Sequence, residues 1–343
     1  MSSASPSTSG GISRYRIRVH LCGNKKKKSV FLHFGDKTVA SEMLMYMRKR
    51  NLILTMMTAA VLSASQVNAT AAIRSTPADS LIYARTMQKL MPYAGLPAGE
   101  LMVRTAELFY GTPYKSGTLE SVPEELTVNL HETDCILLVE ACTAMTLLLK
   151  DNAGDGIPPF RDFCAMLRSL RYRDGIINGY PSRLHYTSEW LLQASSNGFL
   201  REVTQALGGI PLEQEFSFMS SHRDNYPQLR DDPEATELIR KVERRLDTTA
   251  SYCFIPAGKI GEAEDGILDG DIICIVSTIP GLDITHTGIA CRTPDGKLHF
   301  IHASMREGKV VLETRTLVEY VKKGGIRVAR LNNTKNTYNF RHM

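Results

Sequence analysis

One tryptophan serves a chain of 343 residues, aromatic side chains make up only 7% of it, and none of its seven cysteines stands in a CxxC pair. That spacing excludes a dense disulfide framework and the paired-thiolate zinc folds. A chain of this length can bury a core without such staples. Long apolar runs are also missing: the best, Leu52 to Leu62, is too short to span a bilayer comfortably. An excess of positive charge is missing from most of the chain. Residues 1–69 hold 11 Lys/Arg and 2 Asp/Glu, which leaves 30 basic and 34 acidic side chains for the rest. The formal net charge of +5 therefore belongs to the leader, and the remainder stands at −4. No nucleic-acid partner is expected from that distribution.

The leader has the form of an export signal. Met47-Arg48-Lys49-Arg50 is a positive start, the apolar run follows, and Val67-Asn68-Ala69 supplies small residues at the spacing a signal peptidase prefers. Residues 47–69 are thus expected to be a signal peptide, with an N-terminal membrane anchor as the alternative. No Cys follows at which a lipid could be attached. Residues 1–46, with a Ser-rich beginning and Lys25 to Lys28 in a row, are expected to precede the true start, at Met47 or close by at Met43 or Met45. The mature chain, 70–343, then reads as one domain of an exported, periplasmic protein with no stable membrane insertion after cleavage.

Helical patterns come first in that chain: Thr76 to Ala94, Glu100 to Phe109, Phe160 to Leu170 and the charged stretch Glu234 to Arg245. Between them, Val122 to Leu130 suits a short strand. The sole Trp sits in Thr187-Ser188-Glu189-Trp190-Leu191, which reads as a helix start capped by Ser188 with Trp190 buried. The last third changes period. Strands are predicted over 271–277, 285–291, 298–304, 309–312 and 325–331, with Pro294-Asp295-Gly296 as a hairpin turn. Helices followed by an antiparallel meander make the fold class α+β.

The chemistry gathers around Glu132-Thr133-Asp134-Cys135, which leads into an apolar run reaching Leu149. Thr133 and Asp134 are good N-caps, so Cys135 falls in the first turn of a buried helix. There the helix dipole and unpaired amides favour a thiolate. Cys142, Cys274 and Cys291 lie inside apolar patterns and read as core. A nucleophilic thiol needs a base, and the base needs a partner that fixes its tautomer. His286 and His302 lie on strands joined by a hairpin, close enough across neighbouring strands for the rings to meet. His299 is an odd step from His302 and falls on the other face. The alternative, zinc on His286, His299, His302 and Asp283 with Cys135, is disfavoured by that same spacing.

Gly111-Thr112-Pro113-Tyr114, Asp134-Cys135, Gly270-Asp271-Ile272, His286-Thr287-Gly288-Ile289 and His302-Ala303-Ser304, in that order, resemble the NlpC-type cysteine peptidase and amidase superfamily. Val128-Asn129-Leu130, the Ser182 to Trp190 run and Gly281-Leu282-Asp283-Ile284 are similar to its N-acetylmuramoyl-L-alanine amidase-like branch, once a domain of unknown function. The resemblance spans about Leu101 to Leu331. It implies a papain-like domain, its nucleophile-bearing helix packed on an antiparallel sheet, with a large, mostly helical insertion at about 151–260. It implies hydrolysis of the amide between N-acetylmuramic acid, in its anhydro form, and L-alanine, with muropeptides as partners and no cofactor or metal. Endopeptidase action within the stem peptide and non-catalytic muropeptide binding are the alternatives. Cys135 would be the nucleophile, His286 the base and His302 the orienting third residue. Tyr114 and Asp134 match positions that line the superfamily's site. Arg183, His185 and Glu189 are candidates for substrate contacts.

Overall fold

In the computed structural model, which describes residues 4–7, 14–23, 26–34, 45, 73–152, 156–249 and 251–333, two compact units divide at Thr70 and Ala71. The first contains strands β1 (Ala4–Ser7), β2 (Arg14–Gly23) and β3 (Lys26–Phe34) in one antiparallel sheet. Its sequence signal is Tyr15, Ile17, Val19 and Leu21 alternating with basic residues, the period of a strand. The expected signal peptide at 47–69 lies outside the described residues. Among those described, no helix is long and apolar enough to cross a membrane.

The second unit begins with the two-residue strand β4 (Ile73–Arg74) and helix α1 (Pro77–Leu90). Thr76 and Asp79 cap that helix reciprocally, each side chain taking the other's backbone N–H. Helix α2 (Ala98–Glu107) follows, and β5 (Leu126–Thr127) pairs in parallel with β4. Helix α3 (Cys135–Asp151) is buried at every position from Leu137 to Leu149. Helix α4 (Phe160–Arg171) packs against it, and Arg171 reaches the buried Glu140 of α3 at 2.8 Å. Burial of a lone carboxylate in a helix centre is costly, so this partner is required for α3 to lie where it does.

Helix α5 (Thr187–Ser196) begins one residue before the expected cap. Ser188 is inside the first turn instead. The Asp283 carboxylate, from the far end of the chain, accepts its N–H at 2.7 Å, and Arg327 Nη1 donates to its hydroxyl at 2.6 Å. Strands β6 (Leu200–Glu202) and β7 (Ile210–Leu212), helix α6 (Pro233–Thr249) and strand β8 (Tyr252–Pro256) complete the stretch read as an insertion. It belongs to the same compact unit and widens the sheet rather than standing apart.

The remaining strands are β9 (Ile272–Val276), β10 (Ile284–Arg292), β11 (Leu298–Ser304), β12 (Lys309–Leu312) and β13 (Gly325–Leu331). Helix α7 (Leu317–Tyr320) bridges the last two. The sheet order is β12-β11-β10-β9-β13-β8-β7, with β6 also on β13. The meander therefore holds only from β9 to β12, and β13 returns to lie beside β9. Helices cover one face, where Leu138, Cys142 and Met145 meet Cys274, Ile289 and Ile301. On the other face Ile273, Ala290 and Phe300 pack with Ile260 and Leu317. The result is a mixed structure of helices and an antiparallel sheet, as the α+β reading requires.

Candidate active site

Cys135 is the first residue of α3, and Asp134 is its N-cap, taking the Leu137 N–H at 3.0 Å. The Gly111 to Tyr114 segment holds this approach in place. Thr133 N donates to Pro113 O at 3.0 Å, while Tyr114 N donates to Gly308 O at 2.8 Å, beside β12. The segment thereby ties the cysteine to the far edge of the sheet.

The β10–β11 ladder runs from Arg292↔Leu298 to Ile289↔Ile301 and stops. Beyond it β10 keeps its pairing to β9, with a bulge between Ile284 and His286, and β11 keeps its pairing to β12. The chemistry-bearing residues sit where the two strands part. The N–H and hydroxyl of Thr287 approach the Cys135 thiol. The approach is looser than a full hydrogen bond, since the buried Thr287 hydroxyl has no partner in hydrogen-bonding geometry. His286 and His302 lie diagonally across the gap, and His286 Nε2 meets His302 Nδ1 at 2.7 Å. Gly288 makes this possible. A Cβ there would stand 2.5 Å from Phe300 Cδ2, 2.9 Å from the Ile301 oxygen and 3.2 Å from His302 Cβ.

Tyr320 of α7 stacks on the His286 ring, with centroids 6.3 Å apart, and meets His302 edge-on at 5.7 Å. Nothing in its local sequence marks it; α7 carries it to the dyad only in three dimensions. On the far side of the dyad, Glu313 Oε2 lies 3.5 Å from His302 Nε2, with both side chains almost fully buried. That separation is at the outer limit of a hydrogen bond, and Nε2 has no better partner.

Electrostatics here departs from the expected ready-made thiolate. Burial, reinforced by the neighbouring Asp134, pushes the Cys135 thiol up to about 11, against the opposing pull of Thr287 and the Ile136 amide. Burial likewise lowers His286 to about 3 and His302 to about 4. Thiol and imidazoles are therefore neutral at rest, and one amide-rich helix end does not outweigh desolvation and an adjacent carboxylate. Among the described residues the thiol is not hydrogen-bonded to the His286 ring.

Beside Asp134 a cleft of about 170 Å³ is lined by Thr118, Ile136, Arg183, His185 and Trp190 among others. Arg183 is held by Glu124 through two contacts of 3.0 and 2.9 Å and by Glu120 at 3.0 Å. His185 packs against the Tyr180 ring at a tilt of 40°, bonds its carbonyl at 2.9 Å, and is kept neutral by burial, which lowers it to about 3. Tyr114 is half-buried close to the thiol. Glu189 is not brought to this cleft. It is buried against Arg173, at 2.7 and 3.1 Å, and Arg245. Trp190 is buried, as the helix pattern implied.

The residues weighed for zinc are dispersed. His299 Nδ1 is bonded to the Glu313 carbonyl at 2.9 Å, Asp283 caps α5, and the His286 and His302 nitrogens face each other at direct hydrogen-bonding distance. Among the described residues no group of three or more His, Cys, Asp or Glu could hold a metal ion.

Fold and site together define the class: a helix-and-antiparallel-sheet protein that presents a thiol, two imidazoles and a carboxylate where two strands separate. The chain belongs to the AmiA-like family, N-acetylmuramoyl-L-alanine amidase-like proteins, whose model matches residues 104–326. It is similar to the crystal structure of an N-acetylmuramoyl-L-alanine amidase from Bacteroides uniformis ATCC 8492. Identity is 37%, coverage 68% of this chain and 99% of that one, and the TM-score 0.63. It also resembles a Bacteroides fragilis protein provisionally named a xylanase, at 39% identity, 66% and 99% coverage and a TM-score of 0.61. No curated protein matches the chain.

Proposed function

We propose that the protein is a cysteine-dependent cell-wall amidase, papain-like in its arrangement, that cuts between the lactyl group of N-acetylmuramic acid and L-alanine. Muropeptides released in wall turnover, with an anhydro sugar end, are the substrates, and export through the leader delivers the enzyme to the periplasm. The observation that carries this reading is the His286–His302 pair at 2.7 Å, its His302 ring buried, beside a helix-first cysteine within a chain of the amidase-like family. A glycosidase would instead need two carboxyl groups flanking the bond. The carboxylates Glu120, Glu124 and Glu140 are tied to Arg183 and Arg171.

The resting site starts neutral, so the proton must move as the thiol attacks. With Nε2 engaged by His302, His286 has Nδ1 left to receive the thiol proton. Sulfur bonds to the lactyl carbonyl carbon, and the oxyanion is met by the N-terminal amides of α3, among which Cys135 N–H has no intrahelical acceptor. Collapse breaks the C–N bond while His286 returns its proton to the departing L-alanine nitrogen. Water then attacks the thioester, giving its proton to His286, and the muramic acid carboxyl leaves as the thiol re-forms.

The test is mass spectrometry of defined muropeptides incubated with the native protein and with Cys135→Ala and Cys135→Ser. Free sugar plus an intact peptide beginning at L-alanine is the expected product, and neither variant should make it. Turnover unchanged in either variant rejects the thiol mechanism. Release of an L-Ala-D-Glu dipeptide, or of the sugar still carrying it, would assign the endopeptidase activity instead.

A further inference from the structure

The dyad does not by itself say which nitrogen of His286 carries the hydrogen, and a base is useful only if the nitrogen not engaged by His302 is bare. Two neutral imidazoles joined Nε2 to Nδ1 have two equivalent hydrogen-bonded forms. In one, His286 donates through Nε2 and keeps Nδ1 as a lone pair. In the other, His302 donates through Nδ1, and His286 is left with hydrogen on Nδ1, unable to accept a proton from the thiol. Something beyond His302 must choose.

Glu313 occupies the position to do so. It follows β12 directly, and two contacts on its backbone fix it: Glu313 N donates to Phe300 O at 3.0 Å, and His299 Nδ1–H donates to its carbonyl at 2.9 Å. Its carboxylate is gripped by Arg315, with Nε on Oε1 at 3.0 Å and Nη2 on Oε2 at 3.1 Å, and by the Arg315 backbone N–H at 3.1 Å. Burial works to raise it, but those donors hold the Glu313 carboxyl down at about 2, so it is an acceptor only. It faces the one nitrogen of His302 that has no other partner.

We propose that Glu313 is a positioning residue that sets the hydrogen of both imidazoles: it holds hydrogen on His302 Nε2, which bares His302 Nδ1, which draws hydrogen onto His286 Nε2 and leaves His286 Nδ1 free to take the thiol proton. The inference rests on the amidase reading for its consequence but not for its first observable. Of the other charged and titratable groups around the pair, Cys135, Tyr320, Arg306 and Arg315, none is hydrogen-bonded to His302 Nε2. His299, on the opposite face, acts only through the Glu313 backbone.

Nitrogen-15 spectra of the histidine rings test this directly in the full chain. In the native protein His286 and His302 should both appear as the Nε2–H form. Finding His286 with hydrogen on Nδ1 overturns the proposal with no variant needed. Glu313→Met, which keeps bulk and loses the acceptor, should shift His302 and His286 toward Nδ1–H and lower kcat by about 10²-fold or more, with KM changed less than about threefold. Glu313→Asp should restore the Nε2–H form and recover most of that loss. If Glu313→Met keeps both tautomers, the proposal fails, whether turnover stays native-like or falls with thermal stability. The amidase reading fails separately, when Cys135→Ala still turns over substrate while the native tautomers are as stated.

Discussion

Gly288→Ala is the sharpest probe of the gap between β10 and β11, because it adds one methyl group at the closest approach. That methyl would lie 2.5 Å from Phe300 Cδ2, 2.9 Å from the Ile301 carbonyl oxygen and 3.2 Å from His302 Cβ. The ring of Phe300 is fully buried and boxed between His286, His302 and Tyr320, so it cannot swing aside. The Ile301 oxygen belongs to a strand paired on both sides, so relief must come from β11 moving as a unit. Overpacking of this kind costs about 1–3 kcal/mol. For a unit of this size that is roughly a 2–10 °C fall in Tm, read by circular dichroism or calorimetry. The functional effect should be larger than the loss of stability. A shift of β11 by a few tenths of an ångström moves His302 Nδ1 away from His286 Nε2, and muropeptide turnover at a temperature where the variant is fully folded should drop at least about tenfold. Native Tm together with native turnover in Gly288→Ala would refute the claim that this glycine makes room for the dyad.

Two other expectations follow from buried charge. Arg183→Met leaves Glu124, almost fully buried, without its bidentate partner, and should cost about 3–5 kcal/mol by denaturant titration; the double variant with Glu124→Gln should recover much of it, and a loss under 1 kcal/mol would contradict the pairing. The neutral histidines make stability fall with acid. His286, His302 and His185 are held near 3, 4 and 3 in the folded protein against about 6.5 when unfolded. Below pH 6.5 only the unfolded chain takes up those protons, so stability is full above that pH and declines as pH falls toward the folded values, by up to about 1.4 kcal/mol per pH unit for each ring. Replacing His286 and His302 together by Gln should flatten the decline between pH 6 and 4; an unchanged slope would show that the rings are not buried in the neutral state.

The parts of the fold written in short-range pattern were legible. Strands at 298–304, 309–312 and 325–331 have their predicted bounds because each is an apolar-rich stretch set off by turn residues. The Cys135 helix was legible from its cap and its apolar length, and His302 was separable from His299 by strand parity alone. What was not legible is set by partners distant in sequence. The N-terminus of α5 is satisfied by Asp283, 95 residues from Ser188, so the local Ser is not the cap its position suggests. Strands β6, β7 and β8 are three to five residues long and gain their pairing from β13 and each other, which no window of sequence contains. Glu189 and Arg183 sit in a run rich in groups suited to substrate, yet Glu189 is consumed by Arg173 and Arg245. Glu313 and Tyr320 enter the site only because β12 and α7 deliver them to the dyad. The thiolate expected of Cys135 weighed the helix end and left out burial, which a sequence does not display.

The end of the β10–β11 ladder links these observations. A ladder continued past Ile289 and Ile301 would pair more of the backbone and stabilise the sheet. It would also commit the Thr287 N–H to β11 and close the space in which the two rings meet. The open arrangement leaves polar atoms unsatisfied, the Thr287 hydroxyl and His302 Nε2 among them. A buried polar atom without a partner costs about 1–3 kcal/mol. Sequence selected for stability alone would fill such a gap with apolar side chains, as it does one step further along the same strands at Ile289 and Ile301. The transition from that well-packed pair to two imidazoles, a glycine and an unbonded hydroxyl takes place within three residues of β10. Local rules broken together, at one place, beside a helix-first cysteine, are what the proposed amidase site rests on, more than any one of its side chains.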